Sequence, residues 1–210
     1  SNGTGPVMSW PDAMMNRSPT RDRESRRHVT GITHAPPYAT AKAWRRFTRK
    51  TVATATHTIW LGALADDGYG RFHDPDYTDE ALPAVLRSGT VRVSRWLWWA
   101  WYGPLPTRTV ILHRCDLPIC VRLDHLAPGS QRDNLLMAAR RDRIARTTFT
   151  GQRTDHADTR GPAGQSHAIR DAVRHALTTG ITDPHQLTTI INAVITLGDR
   201  YANQLTLFDI

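Results

Sequence analysis

Cysteine is almost missing from this chain of 210 residues: only Cys115 and Cys120 occur, separated by Asp116, Leu117, Pro118 and Ile119. So few thiols exclude a disulfide-stapled scaffold. Flanked by His113 and His125, the pair reads better as metal ligands than as a disulfide. No apolar run approaches the roughly 18 residues of a membrane span, so no membrane partner is expected. The N-terminus also lacks the short apolar core of a secretion signal, which predicts a cytoplasmic protein, with Met8 a candidate start after Ser1-Asn2-Gly3. Acidic residues are in deficit as well, with Asp+Glu 19 against Lys+Arg 27, a formal net charge of +8 and a sequence pI near 10.3. That balance points first to a polyanion, because neutralising phosphates releases counterions and gives affinity without sequence.

Residues 1 to about 45 lack a sustained apolar period and carry the run Arg21-Asp22-Arg23-Glu24-Ser25-Arg26-Arg27-His28. Such a composition buries little surface. It predicts a basic, partly irregular arm over 1–50 whose arginines lie along phosphates or remain a solvated tail. At its end, Lys42 to Lys50 interleaves Trp44 and Phe47 with Arg45, Arg46 and Arg49, which fits a basic helix with an anchoring face or a groove contact.

From Thr56 the pattern becomes β-like. Ile59 to Leu64, the turn residues Asp66-Asp67-Gly68, and Tyr69 to Phe72 predict a hairpin. Ser94 is placed to cap a short helix, Arg95 to Tyr102, stopped by Gly103 and Pro104. Its tryptophans, Trp96, Trp98, Trp99 and Trp101, cannot share one helical face, so they fill a core from several directions or, alternatively, stack on bases. Thr109 to Leu112 reads as a buried strand delivering His113 at its end. Ser130-Gln131-Arg132-Asp133 has the spacing of a capping box that opens a helix carrying Asn134.

The motif His113-x-Cys115-x4-Cys120-x4-His125-Leu126, with Asp133-Asn134 beyond it, resembles the HNH superfamily of nucleases, and its spacing is also similar to the His-Cys box homing endonucleases. Upstream, Trp60 to Phe72 and Arg95 to Pro106 look like the flanks of phage and actinobacterial HNH proteins. The resemblance covers about residues 55 to 146. It implies an α+β, zinc-stabilised ββα-metal nuclease domain at 51–146, acting on double-stranded DNA in a bacterial host, nucleoid-associated or phage-encoded.

By the same resemblance, Cys115, Cys120 and His125 hold a structural zinc. Family members carry a cysteine three residues before the Trp-x-Gly of the first strand, and His57 stands there; His73, His28 or a water are the other possible fourth ligands. The histidine matching His113 takes a proton from water, and the matching Asn134 holds a catalytic Mg2+ or Mn2+. Arg71 is the candidate for stabilising charge on the phosphate, in competition with Arg92, Arg95 and Arg114. DNA contacts are expected from Arg45, Arg46, Arg92, Arg95, Arg114, Arg140 and Arg141. Where the family usually has Cys-Val-Asn-Pro and Gly-Thr, this chain has Cys120-Val121-Arg122-Leu123 and Gly129-Ser130, changes that bear on loop shape rather than on a ligand or the base. One such site cuts one strand, so a duplex break needs a homodimer or two nicks.

Residues 147–165 read as a linker. Ser166 to Leu177 and Pro184 to about Tyr201 show helical periodicity, predicting a helical hairpin over 166–203 with Gly180 ending the first helix and Asp183-Pro184 starting the second. The tail, 204–210, resembles the QLxLF peptide that docks bacterial proteins on the replication sliding clamp. There Gln204 would anchor, and Leu205, Leu207 and Phe208 would fill an apolar cleft.

Overall fold

Helix α1, Ala41–Thr48, is opened by Thr40, whose side chain accepts a hydrogen bond from the Ala43 amide. The computed structural model describes residues 35–77, 89–140, 146–147, 153–154 and 158–199. Spacing explains which face of α1 is buried. Ala43, Trp44 and Phe47 turn inward, while Lys42, Arg45 and Arg49 stay exposed. The inward rings join those of Trp60, Phe72 and Trp96, with Phe47 5.1 Å and Phe72 4.4 Å from Trp96 between ring centroids. Burying such aromatic side chains contributes roughly 2–3 kcal/mol each.

Short antiparallel strand pairs surround this core. β1, Thr51–Ala53, pairs with β2, Thr58–Trp60, and β3, Arg71–His73, pairs with β4, Thr90–Arg92. The expected hairpin from Ile59 to Phe72 forms only around its turn, where the Arg71 amide donates to the Ala63 carbonyl at 2.8 Å. Its turn forms, with Gly68 at φ 82° and a single bridge between Leu64 and Gly70, but the ladder does not extend through it. The reason is competition for the edge of β2. The Trp60 amide donates to the Ile119 carbonyl, and the Thr58 carbonyl accepts from the Val121 amide.

Helix α2, Val93–Tyr102, follows β4 directly, with Arg92 at the cap position and no side-chain cap. Ser94 is buried inside the first turn instead of capping it, a correction. The tryptophans do point in several directions: Trp96 and Trp99 are buried, and Trp98 and Trp101 partly so. Trp96 donates its indole N–H to the buried Asp74 carboxylate at 2.7 Å.

β5, Val110–His113, runs antiparallel to β6, Leu126–Gly129, with His113 opposite Leu126. α3, Gln131–Arg140, then packs on this pair. The result is a strand–strand–helix order. Ser130 and Asp133 form a reciprocal cap at its entry: Ser130 donates its amide and hydroxyl to the Asp133 carboxylate at 2.8 and 2.7 Å, and its hydroxyl accepts from the Asp133 amide at 3.2 Å.

The segment 147–165 holds more structure than a linker. β7, Arg146–Thr147, pairs with β8, Arg153–Thr154, and α4, Gly161–Thr178, starts before the expected Ser166 because Pro162 suits a first helical turn. Gly180, at φ 87°, follows its end, and Asp183 caps α5, Pro184–Gly198, by accepting from the His185 and Gln186 amides. Ile169, Val173, Ala176, Leu187 and Ile191 form the buried seam of the two helices. The fold is α+β, with helices and small two-stranded sheets. Among the described residues no helix is long and apolar enough to cross a membrane.

Candidate functional site

Local hydrogen bonding prepares each of four side chains for one meeting point. His57 sits in the β1–β2 turn, where the Thr54 hydroxyl accepts from the His57 amide and donates to its carbonyl, both at 3.0 Å. Cys115 and Cys120 lie on the loop leaving β5, shaped by Asp116 at φ 61° and by the Cys120 amide donating to Leu117 at 3.0 Å. His125 closes a single 3-10 turn, Leu123–His125, and its carbonyl accepts from the Arg114 amide at 2.8 Å.

The ligand atoms of His57, Cys115, Cys120 and His125 all lie within 4.8 Å of one another. Cys120 Sγ is 3.7 Å from His125 Nδ1. Two ligands at sulfur and nitrogen bond lengths on a tetrahedral zinc lie roughly 3.6 Å apart, so this spacing is that of a preformed site. His57 Nδ1 is buried with no hydrogen-bond partner, as expected of a ring whose partner is a cation. The neighbouring Cys120 thiol, then His125 and His57, outweigh burial and hold the Cys115 thiol well below the usual thiol range. The same pairing with Cys115, together with burial, pushes Cys120 well above the usual thiol range. The cluster can hold a metal ion such as zinc. His73 is not part of it: its ring contacts the Thr90 hydroxyl on β4 at 3.3 Å.

His113 stands beside this cluster, buried at the end of β5. Its Nε2 lies 3.0 Å from the Cys120 carbonyl oxygen, which can only accept, so Nε2 carries the proton and donates. Nδ1 is then the lone-pair nitrogen, and it has no partner. Burial lowers the His113 pKa, opposed by the charge of Cys115 and the bond to Cys120, which favours the neutral ring.

A cleft of about 660 Å3 opens between the 65–71 turn, β4, α2, β5 and α3. It gathers Arg71, Arg92, Arg95 and Asn134, four residues singled out by sequence, together with Asp67, Tyr69 and Gln131, which were not. Asp67 read only as turn chemistry; its ion pair to Arg92, at 2.5 Å, gives it a second role. Arg92 also lies over the Tyr69 ring at 4.2 Å, and Arg95 donates to the Thr109 carbonyl at 2.6 Å. His113 does not line the cleft. It lies behind Tyr69, whose ring centroid is 5.5 Å away.

The other arginines named from sequence fall elsewhere. Arg46 donates to the His73 carbonyl and covers the Phe72 ring at 5.0 Å, a structural placement. Arg45 and Arg114 are exposed outside the cleft. Arg140 ends α3, but its side chain, like Arg141, His28 and the tail residues Gln204, Leu205, Leu207 and Phe208, lies outside the described residues.

Comparison with known proteins adds little to this geometry. No protein family matches the chain. It is 32% identical over 75 residues to Protein 7.7 of Escherichia phage T7, a stretch covering 36% of this chain and 48% of that protein. The chain thus spans about half the length of the curated relative it matches. No solved structure matches it.

Proposed function

We propose that this chain is a metal-dependent DNA endonuclease of the HNH, ββα-metal type, which hydrolyses phosphodiester bonds. The carrying observation is the convergence of Arg71, Arg92, Arg95 and Asn134 on one cleft whose single acidic lining residue among the described residues, Asp67, is already paired with Arg92. A site so built suits a polyanion. The order β5, β6, α3, with His113 at a strand end and Asn134 near the helix start, supports the same reading.

In this proposal Tyr69, which lines the cleft in front of the buried His113 ring, swings aside, and His113 Nδ1 takes the proton from the attacking water, because Nε2 is committed to the Cys120 carbonyl. The water oxygen forms the new bond to phosphorus as the bond to the 3' oxygen breaks. Arg71 meets the charge that builds on the phosphate, and Arg92 and Arg95 hold its neighbours. Asn134, exposed at the cleft that Asp67 also lines, offers the sparse, hard oxygen donor that suits Mg2+ or Mn2+, which would supply charge at the phosphate and the leaving oxygen. His57, Cys115, Cys120 and His125 would hold a zinc whose contribution is a cross-link between the β1–β2 turn and the β5–β6 loop.

Zinc-loaded protein incubated with supercoiled plasmid and Mg2+ or Mn2+ is expected to give nicked or linear product. Protein that shifts DNA yet never cuts a broad sequence pool would be a DNA-binding module instead. A phage-encoded setting fits the phage relative. Clamp docking through residues 204–210 is a separate proposal, and deleting them should abolish clamp binding. Homodimerisation is another, read from sedimentation.

A further inference from the structure

A second basic pocket, of about 480 Å3, lies outside the cleft and is lined by Arg49, Lys50, Leu61, Gly62, Ala63, Arg170 and Arg174. Among the described residues, four of its seven lining residues are cations and none is acidic, so its character is set by charge rather than by shape. They come from distant parts of the chain. Arg49 and Lys50 follow α1, whereas Arg170 and Arg174 lie one turn apart on α4.

The arrangement is held in place by specific contacts. Arg174 donates to the Leu61 carbonyl, tying α4 to the segment after β2, and Lys50 Nζ sits over the Trp60 ring at 6.0 Å. Asp171 offsets part of the charge at the rim, bonding Arg170 at 2.9 Å and approaching Arg174 at 4.0 Å. Arg49 has no side-chain partner among the described residues. A net positive excess therefore remains.

The two basic sites share no lining residue, yet they are joined. Ala63 lines the second pocket, and its carbonyl accepts at 2.8 Å from the amide of Arg71, which lines the cleft. They therefore flank one short chain reversal.

We infer that the pocket formed by Arg49, Lys50, Arg170 and Arg174 is a second phosphate-binding surface, which holds the backbone of duplex DNA flanking the cleft. This rests on the reading of the partner as DNA, but not on catalysis. It gives the C-terminal helix pair a role beyond packing: α4 contributes half of the cations. Contacts of this kind position a duplex without reading its sequence.

The test is the salt dependence of duplex binding for the full chain and its R49Q/R174Q variant, using a labelled duplex of mixed sequence without Mg2+. Each lost phosphate contact should flatten the log–log slope by about 0.9, so the double variant should lose roughly 1.8, equally for unrelated sequences. Arg174→Lys keeps the charge but not the fork to Leu61, and should keep the wild-type slope. An unchanged slope in R49Q/R174Q overturns the inference, as does an Arg174→Lys slope that falls as far as that of Arg174→Gln. Loss of binding to phosphatidylserine vesicles with DNA binding intact would also overturn it, in favour of a membrane surface. A flattened slope in a protein that never cuts would leave this inference standing and sink the nuclease reading. Cutting with an unchanged slope would do the reverse.

Discussion

Arg71 and Arg92 stand directly opposite each other across the β3–β4 pair, both exposed. Like charges so placed oppose folding by roughly 0.2–1 kcal/mol. Arg92 is compensated by Asp67 and the Tyr69 ring, whereas Arg71 has no side-chain partner among the described residues. A phosphate in the cleft would supply the missing counter-charge. Stability given up at a cleft in this way is the mark of a site arranged for a ligand.

The first prediction follows from that pair. Arg71→Ala should leave thermal stability equal or up to about 1 kcal/mol higher. It should also slow cleavage by roughly 10²–10³-fold, the usual effect of removing one preorganised charge. Melting curves and plasmid cleavage rates read both. A destabilised variant with normal cleavage would mean that Arg71 is structural.

The proposal that His57, Cys115, Cys120 and His125 hold a zinc predicts one ion per chain and a large stability term. Cys120→Ser should bind less zinc and cost about 4 kcal/mol or more, since metal loss belongs to the small group of severely destabilising changes. His57→Ala should lower zinc affinity while leaving Cys115, Cys120 and His125 as a weaker three-ligand set. Metal analysis with thermal denaturation in a chelator checks this. A native melting temperature after complete zinc removal would argue against a structural metal.

Ser130 makes the cap of α3 a link between stability and activity. Ser130→Ala removes the hydroxyl that joins Asp133 in both directions and should cost about 1 kcal/mol. Because α3 also carries Asn134, cleavage should weaken without vanishing. Ser130→Thr, which keeps a capping hydroxyl, should retain most of both readouts.

Acid titration should expose the clasp at the base of the C-terminal helices. Burial would raise the Asp158 carboxyl, but hydrogen bonds from the Arg160 side chain and amide outweigh it and hold the pKa below its usual value. Arg160 also donates to the Val194 carbonyl near the end of α5. A carboxyl depressed in the folded state adds stability above its unfolded pKa, about 3.9, and loses it as pH falls through the folded value. Asp158→Asn should therefore cost roughly 1–3 kcal/mol at neutral pH, and the difference from wild type should vanish in strong acid. A gap that persists at the lowest pH would contradict the assignment.

Much of the site was legible because its signals are local. The strand ending at His113, the Ser130–Asp133 cap and the helix carrying Asn134 each follow from spacing over a few residues. The placement of His57 beside Cys115 and Cys120 was legible only through family resemblance, since no local rule joins the β1–β2 turn to the β5–β6 loop. What stayed hidden depended on distant competition. The turn at Gly68 was readable, but not that Ile119 and Val121 would take the free edge of β2. Ser94 has a capping side chain, yet Val93 and Trp96 draw its turn into the core. The meeting of Arg49 with Arg174 in one pocket likewise requires the folded chain, because charge patterning in either segment alone describes only a solvated face.

We propose a division of labour within one loop, in which the cysteines hold a structural metal and His113 takes the proton. Cleavage by His113→Ala, measured alongside its zinc content and duplex affinity, tests this most directly. The predicted result is loss of cleavage with one zinc per chain and wild-type affinity retained. Cleavage at the wild-type rate by a zinc-replete His113→Ala protein would contradict it.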